Sequence, residues 1–392
     1  MNDLGMVLSG GASRGSYQAG VLRFIYTDLA PRLGEDVWPS VVSGTSVGAL
    51  NGVAVASHDP GAMHLLSSIW QRMRIEDIVA PESASLLTTV RNLIAPRAGS
   101  ALLDPTPLKS LLERDIPLAA LRQAIDSGRC RAFIVSATQL STGNNVLFTD
   151  SASPGLDLQP LSGTRVERVT LQARHLLASS SIPLVFPPVR VNGQLCVDGG
   201  LRQNTPLRPV LKAGARRVVL ISPHVQAGTE AITPLDEVIP TLPFMAGKSM
   251  NALMSDPVER DLHSADQINR IIAWGVDRYG PDFANAFESD LGLAEVSLLS
   301  LRPSADLGRM ANTIFANNPP RTTKQMSWLL HTLADQPNSD EGESDLLAYL
   351  YFDRGFTGPA EALGFADARA QEERIATFLL ETRPAPRRRP AD

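Results

Sequence analysis

The chain begins with a short unbroken apolar run. Gly5-Met6-Val7-Leu8-Ser9 reads as a buried strand and is stopped by Gly10-Gly11. Val21, Leu22, Ile25 and Leu29 then recur at helical spacing, which predicts a helix from about Ser16 to Ala30. Pro39 to Ser43 reads as a second strand, followed by a turn at Ser46 and a helix of small residues, Val47 to Ala56. Ala62, Leu65, Leu66, Ile69, Trp70 and Met73 form another helical stripe, the pattern of a helix laid on a core. Arg131 to Ala137 and Asn145 to Thr149 read as strands paired in a hairpin. Arg190 to Val197 holds two short strands around the turn Asn192-Gly193, and Arg217 to Ser222 is a further buried strand. Strands alternating with helices predict an α/β sheet with parallel pairs.

Two stretches break the pattern. Ser83 to Leu103 is apolar, with Leu86, Leu87, Val90, Leu93, Ile94, Leu102 and Leu103, but the spacing fits no clean stripe. It is either an irregular helical insertion on the core or a surface that meets lipid. Asp335 to Asp345 carries five acids and no base, the composition of a solvated linker. Beyond about Glu343 the pattern is helical pairs, ending in the tail Arg383-Pro384-Ala385-Pro386-Arg387-Arg388-Arg389.

Composition narrows the function. A net charge of −5 argues against a nucleic-acid partner, which calls for a basic face. Cys130 and Cys196 are the only cysteines, so a disulfide framework is not expected and a reducing compartment is the simpler reading. Met1-Asn2-Asp3-Leu4 lacks the basic start of a signal peptide, and no apolar run approaches the roughly 18 residues of a membrane span. The expected location is cytoplasmic, with any membrane contact peripheral.

The chemistry lies in three short segments. In Gly44-Thr45-Ser46-Val47-Gly48, glycines two before and two after a serine allow a sharp strand-to-helix turn that lifts the hydroxyl clear of the sheet. A serine hydroxyl is a poor nucleophile without a base, and the oxyanion formed on attack needs donors. Gly10 to Gly15 follows the first strand and precedes the first helix, a place that presents backbone N–H groups to an anion. A dinucleotide fold would want G-x-G-x-x-G there, but Ala12 stands at the second glycine, and the next strand carries the Ser46 turn instead of an acid. Asp198-Gly199-Gly200 is by itself only a turn. Its flanks are distinctive: Ala178-Ser179-Ser180-Ser181-Ile182-Pro183-Leu184-Val185-Phe186-Pro187-Pro188 before, and Leu201-Arg202-Gln203-Asn204-Thr205-Pro206 after.

With these segments in this order, the chain resembles the patatin-like phospholipases. The likeness is dense from about Gly5 to Ser222 and thinner through Leu298 to Ser304 and Leu350 to Asp353. It implies a three-layer α/β/α fold with a mostly parallel central sheet and additional C-terminal helices. It also implies a catalytic domain over 1–335, a helical extension over 336–382 packed on that domain, and the Arg/Pro-rich tail 383–392. Carried over residue by residue, Ser46 is the nucleophile and Asp198 the base of a dyad. Gly10, Gly11, Ala12, Arg14 and Gly15 form the oxyanion loop, with Gly11 and Ala12 the best-placed donors. Gly44 and Gly48 form the elbow, and Gly199 and Gly200 the loop behind the base. Ala12 departs from the family's glycine. The implied activity is acyl-ester hydrolysis of a lipid through an acyl-serine, without cofactor or metal. Acyl transfer by the same dyad, and a non-catalytic lipid-binding module, are the alternatives. A histidine triad would draw on His58, His64, His175, His224, His263 or His331; His175 and His224 lie near the right sheet edge.

Overall fold

The computed structural model describes residues 3–80, 103–153, 156, 158, 163–183, 185–225, 242–334 and 345–381. Most of the stretch 83–103, the acidic linker and the arginine tail therefore lie outside the described residues. Among the described residues nine strands form one sheet: β1 Leu4–Leu8, β2 Val41–Thr45, β3 Ala132–Gln139, β4 Asn145–Asp150, β5 Thr164–Arg168, β6 Val189–Val191, β7 Gln194–Asp198, β8 Arg217–Ile221 and β9 Ser297–Leu301. Their order is β5-β4-β3-β2-β1-β8-β9, with the β6–β7 hairpin attached through β7 to β3. The pairs β1–β2, β1–β8, β2–β3, β8–β9 and β4–β5 are parallel; β3–β4, β3–β7 and β6–β7 are antiparallel.

The central strands read as continuous apolar runs because both faces are buried. Met6, Leu8, Val42, Phe133, Val135, Val219 and Ile221 join a core shared with the helices Gly15–Arg23, Val47–Ala56 and Pro60–Arg72. Val7, Val41, Ile134, Val218 and Leu220 point the other way, onto Leu207 and Val210 of the helix Leu207–Lys212. Leu262 of the long helix Leu242–Tyr279 packs on that second core. The result is the three-layer α/β/α arrangement with a mostly parallel sheet.

The first helix starts at Gly15 and continues through a π-helical stretch, Phe24–Leu29, to Leu33. The expected hairpin of β3 and β4 and the pair around Asn192-Gly193 are both formed. Several elements lay outside the expected set, and three of them frame the sheet or the second core. β5 is a partly exposed edge strand of Thr-Arg-Val-Glu-Arg, β9 lies on the far edge, and Leu242–Tyr279 is a helix of 38 residues.

C-terminal residues fill the same core. The helix Arg354–Ala370 lies along Gly15–Arg23, and two glycines permit the crossing. A Cβ at Gly20 would stand 1.9 Å from the Glu361 carbonyl oxygen, and one at Gly364 2.0 Å from that of Tyr17. Buried Glu361 is partnered at the crossing by Arg23 at 3.2 Å and by the Ser67 hydroxyl at 2.5 Å.

Candidate active site

β3 is longer than β2, and that difference builds the site. Thr45, the last residue of β2, pairs with Ser136; the next residue of β3, Ala137, pairs with Asp198 at the end of β7. β2 and β7 therefore meet tip to tip along one side of β3, and Ser46 and Asp198 are brought together there. Ser46 turns away from the sheet at φ 54° and ψ −128°, a positive-φ conformation that costs a residue with a side chain of order 1–3 kcal/mol. The elbow glycines make the turn possible by close approach. A Cβ at Gly44 would lie 2.5 Å from the Ala49 nitrogen, and one at Gly48 2.1 Å from the Leu8 carbonyl oxygen. Ser46 is the N-cap of the helix Val47–Ala56, so the positive end of that helix faces the hydroxyl.

A second serine holds this turn. Ser179, fully buried, accepts a hydrogen bond from the Ser46 N–H at 2.8 Å and donates to the Ser136 carbonyl at 2.6 Å. It ties the elbow to β3. The small-residue run before the Asp198 segment was the only sequence signal for it.

Asp198 has no exposed surface. Its Oδ1 accepts from the Gly200 N–H at 2.7 Å. Burial pushes the carboxyl up to about 6, while the Gly200 N–H and the Ser46 hydroxyl pull the other way. The contact with Ser46 is looser than a regular hydrogen bond, since Oδ2 is buried without a partner of full geometry among the described residues. Catalytic contacts commonly tighten only when substrate is present. Gly199 lets the chain pass over β3, where a Cβ would lie 2.4 Å from the Ser136 carbonyl oxygen.

The glycine-rich loop is more selective in its free donors than expected. The Gly10 N–H is engaged by Asn204, with the backbone oxygen at 3.2 Å and the side-chain oxygen at 3.1 Å. The Arg14 N–H donates to the Gly11 carbonyl, and the Gly15 N–H to the carbonyls of Ala12 and Ser13, because Ala12–Arg14 is a tight 3-10 turn. Gly10, Arg14 and Gly15 thus spend their backbone donors inside the protein. Gly11, Ala12 and Ser13 are left, with no hydrogen bond from any of these N–H groups among the described residues. Ala12 takes φ 48°, the left-handed region where the resembling family has glycine. At Gly11 a Cβ would meet Pro223 at 2.5 Å.

Beside Ser46 and Ala12 lies a narrow apolar cavity of about 50 Å³. Leu66, Ile69, Trp70, Met73, Leu108, Leu111, Phe186 and Phe352 wall it. The stripe Ala62 to Met73 is core, as its spacing implied, and it is also the wall of this cavity. Asn51, at the cavity's edge, accepts from the Trp70 indole at 3.1 Å and donates to the Gly15 carbonyl and the Gln18 side-chain oxygen, each at 2.9 Å. Gln18 in turn donates to the carbonyls of Ser9 and Ile221. Sequence reasoning did not mark Asn51 or Gln18, and it named Ser179 and Asn204 only as parts of the segments flanking Asp198.

The histidines sit elsewhere. His175 accepts the Gln172 N–H on Nδ1, packs on Phe148, and is pushed down to about 4 by burial. It has no hydrogen bond to Ser46 or Asp198. His224 places Nε2 3.3 Å from the Gly10 carbonyl, behind the loop. His58 bonds the Pro39 carbonyl, at the opposite end of β2 from Ser46. Among the described residues no group of three His, Cys, Asp or Glu side chains is placed to hold a metal, and no helix is long and apolar enough to cross a membrane.

Over 60 residues the chain is 35% identical to a lysophospholipase of Cryptococcus neoformans, covering 15% of this chain and 4% of that protein. Human GIVD cytosolic phospholipase A2 superposes over 96% of this chain and 59% of its own, at 14% identity and a TM-score of 0.41. VipD of Legionella pneumophila does so over 95% and 67%, at 12% identity and a TM-score of 0.35. These superpositions are too loose to carry an argument about the site. The family model of the patatin-like phospholipases matches residues 6–211, more than half of the chain. The chain therefore belongs to the patatin-like phospholipase family of lipid hydrolases.

Proposed function

We propose that the chain is a serine acyl hydrolase that cleaves fatty acyl esters of glycerophospholipids or lysophospholipids through a Ser46–Asp198 dyad. The observation that carries this reading is a strained, elbow-held serine in contact with a fully buried carboxyl and opening onto an apolar cavity.

In the first half-reaction the Ser46 hydroxyl gives its proton to Asp198 as Oγ attacks the ester carbonyl. The negative charge on the carbonyl oxygen falls to the Gly11 and Ala12 N–H groups and the N-terminus of the helix behind Ser46. Collapse breaks the bond to the leaving alcohol, which takes the proton from Asp198, and leaves an acyl-serine. In the second half, Asp198 accepts a proton from water as that water attacks the acyl carbon. Collapse of this second intermediate releases the fatty acid and returns the proton to Ser46. A carboxyl near 6 suits this traffic, since a useful base has a pKa close to the working pH. The apolar cavity takes the acyl chain, each buried methylene contributing about 0.8 kcal/mol. At about 50 Å³ it is far smaller than the roughly 300 Å³ of an ordinary ligand pocket, so a long chain must part its walls. The short stretch shared with a lysophospholipase fits this substrate class.

The test is labelling with an alkyl fluorophosphonate followed by peptide mapping, beside a lipid-class hydrolysis panel. The expected result is one adduct, on Ser46, with fatty acid release from the wild type and none from Ser46→Ala. Labelling elsewhere, or full hydrolysis by Ser46→Ala, overturns the reading.

A further inference from the structure

We propose that Tyr349, with the Ala348 carbonyl beside it, is a clamp that positions the oxyanion turn. The proposal rests on the serine-hydrolase reading above. Both residues lie well beyond the stretch 6–211 that matches the family, so nothing in that match assigns them a role.

The turn Ala12–Arg14 needs holding. Ala12 is in the left-handed region at φ 48°, and such a conformation persists only when its surroundings fix it. Asn204 fixes the Gly10 side of the loop. The helix Asp345–Leu350 fixes the other side. The buried Ser13 hydroxyl donates to the Ala348 carbonyl at 2.6 Å. The Arg14 guanidinium, only 3% exposed, lies 4.4 Å over the ring of Tyr349. A guanidinium taken this far out of water requires compensation, and an aromatic face supplies part of it. The same ring lies 6.3 Å from the imidazole of His224, whose Nε2 faces the Gly10 carbonyl. Tyr349 thus meets Arg14 directly and is linked to Gly10 through His224. The next residue, Leu350, lines the cavity together with Ala12.

Oxyanion donors act over a few tenths of an ångström, so a loosened turn lowers transition-state binding more than substrate binding. Tyr349 is accordingly a positioning residue whose loss appears in kcat and not in KM.

The experiment measures kcat and KM on a soluble butyrate ester, with the thermal midpoint, for the wild type, Tyr349→Phe, Tyr349→Leu and Ser13→Ala. Tyr349→Phe keeps the ring and should stay within about twofold of wild type. Tyr349→Leu should lose about tenfold in kcat with KM nearly unchanged, and Ser13→Ala several-fold with the same split. A folded Tyr349→Leu with wild-type kcat, or a loss confined to KM, overturns the clamp. So does a loss in Tyr349→Phe as large as in Tyr349→Leu, because the ring would then not be the active part. Should Tyr349→Leu fail to fold, a folded Ser13→Ala with wild-type kcat overturns it alone. A wild type that neither cleaves the ester nor takes a fluorophosphonate on Ser46 overturns the serine-hydrolase reading itself, and the clamp with it.

Discussion

Asp198→Asn should give a protein that is inactive and, at alkaline pH, more stable than the wild type. A carboxyl raised from 3.8 to about 6 by burial is held in its charged form at a cost of about 3 kcal/mol. The sign follows from proton binding. Between the two values the folded state holds a proton that the unfolded state has released, so stability falls as pH rises. The contribution is fully present below pH 3.8 and lost once the pH has passed about 6. An asparagine carries no charge to bury, and its side-chain oxygen can still accept from the Gly200 N–H. Urea unfolding of the two proteins should therefore give nearly equal stabilities near pH 4. By pH 8 the gap should open to as much as about 3 kcal/mol in favour of the variant. Ester hydrolysis should run in the opposite sense. The wild type rises through pH 6 to a plateau as Asp198, the proposed base, loses its proton, and the variant stays at background throughout. Parallel stability curves for the two proteins would refute the account of Asp198 as a buried group strained toward neutrality. Activity retained in the variant would remove it as the base.

Three further outcomes are expected. Gly11→Val should lower kcat by about a hundredfold or more with little change in KM, because its side chain collides with Pro223 and moves a proposed oxyanion donor; steady-state kinetics on a soluble ester decides it. Ser179→Ala strands the Ser46 N–H and the Ser136 carbonyl, so denaturant unfolding should show a loss of about 1–3 kcal/mol and turnover should fall about tenfold. Full turnover there would mean the elbow holds itself. Replacing Leu86, Leu87 and Leu93 by Ser should reduce hydrolysis of vesicle lipid and spare a short soluble ester if that apolar stretch meets the membrane surface; equal loss on both substrates assigns it to the core.

Much of the architecture was legible along the chain because its signals are local. Apolar runs at Gly5–Ser9 and Arg217–Ser222 read as strands buried on both faces, and the spacing from Ala62 to Met73 as one side of a helix. The glycines at 44 and 48 announced a sharp turn around Ser46, since only a residue without Cβ fits against a backbone 2.1–2.5 Å away. The long helix Leu242–Tyr279 and the polar edge strand β5 escaped, the first for want of a clear stripe and the second because an edge strand is not required to be apolar.

What the sequence determined by itself is the set of turns, their order, and the residue types that suit acyl chemistry. What only the tertiary structure decided is which of them meet and in what state. Asp198 stands beside Ser46 because β7 enters antiparallel against the end of β3 that β2 leaves unpaired, and strand register is a long-range property. The loop Gly10 to Gly15 offers six backbone N–H groups on paper, but Asn204 and the 3-10 turn take up three, leaving Gly11, Ala12 and Ser13. The supporting side chains of Asn51 and Tyr349 carry no local signature, because their value lies wholly in partners that folding brings from elsewhere in the chain. A buried polar group must find a partner, and only the packed molecule states which one it found.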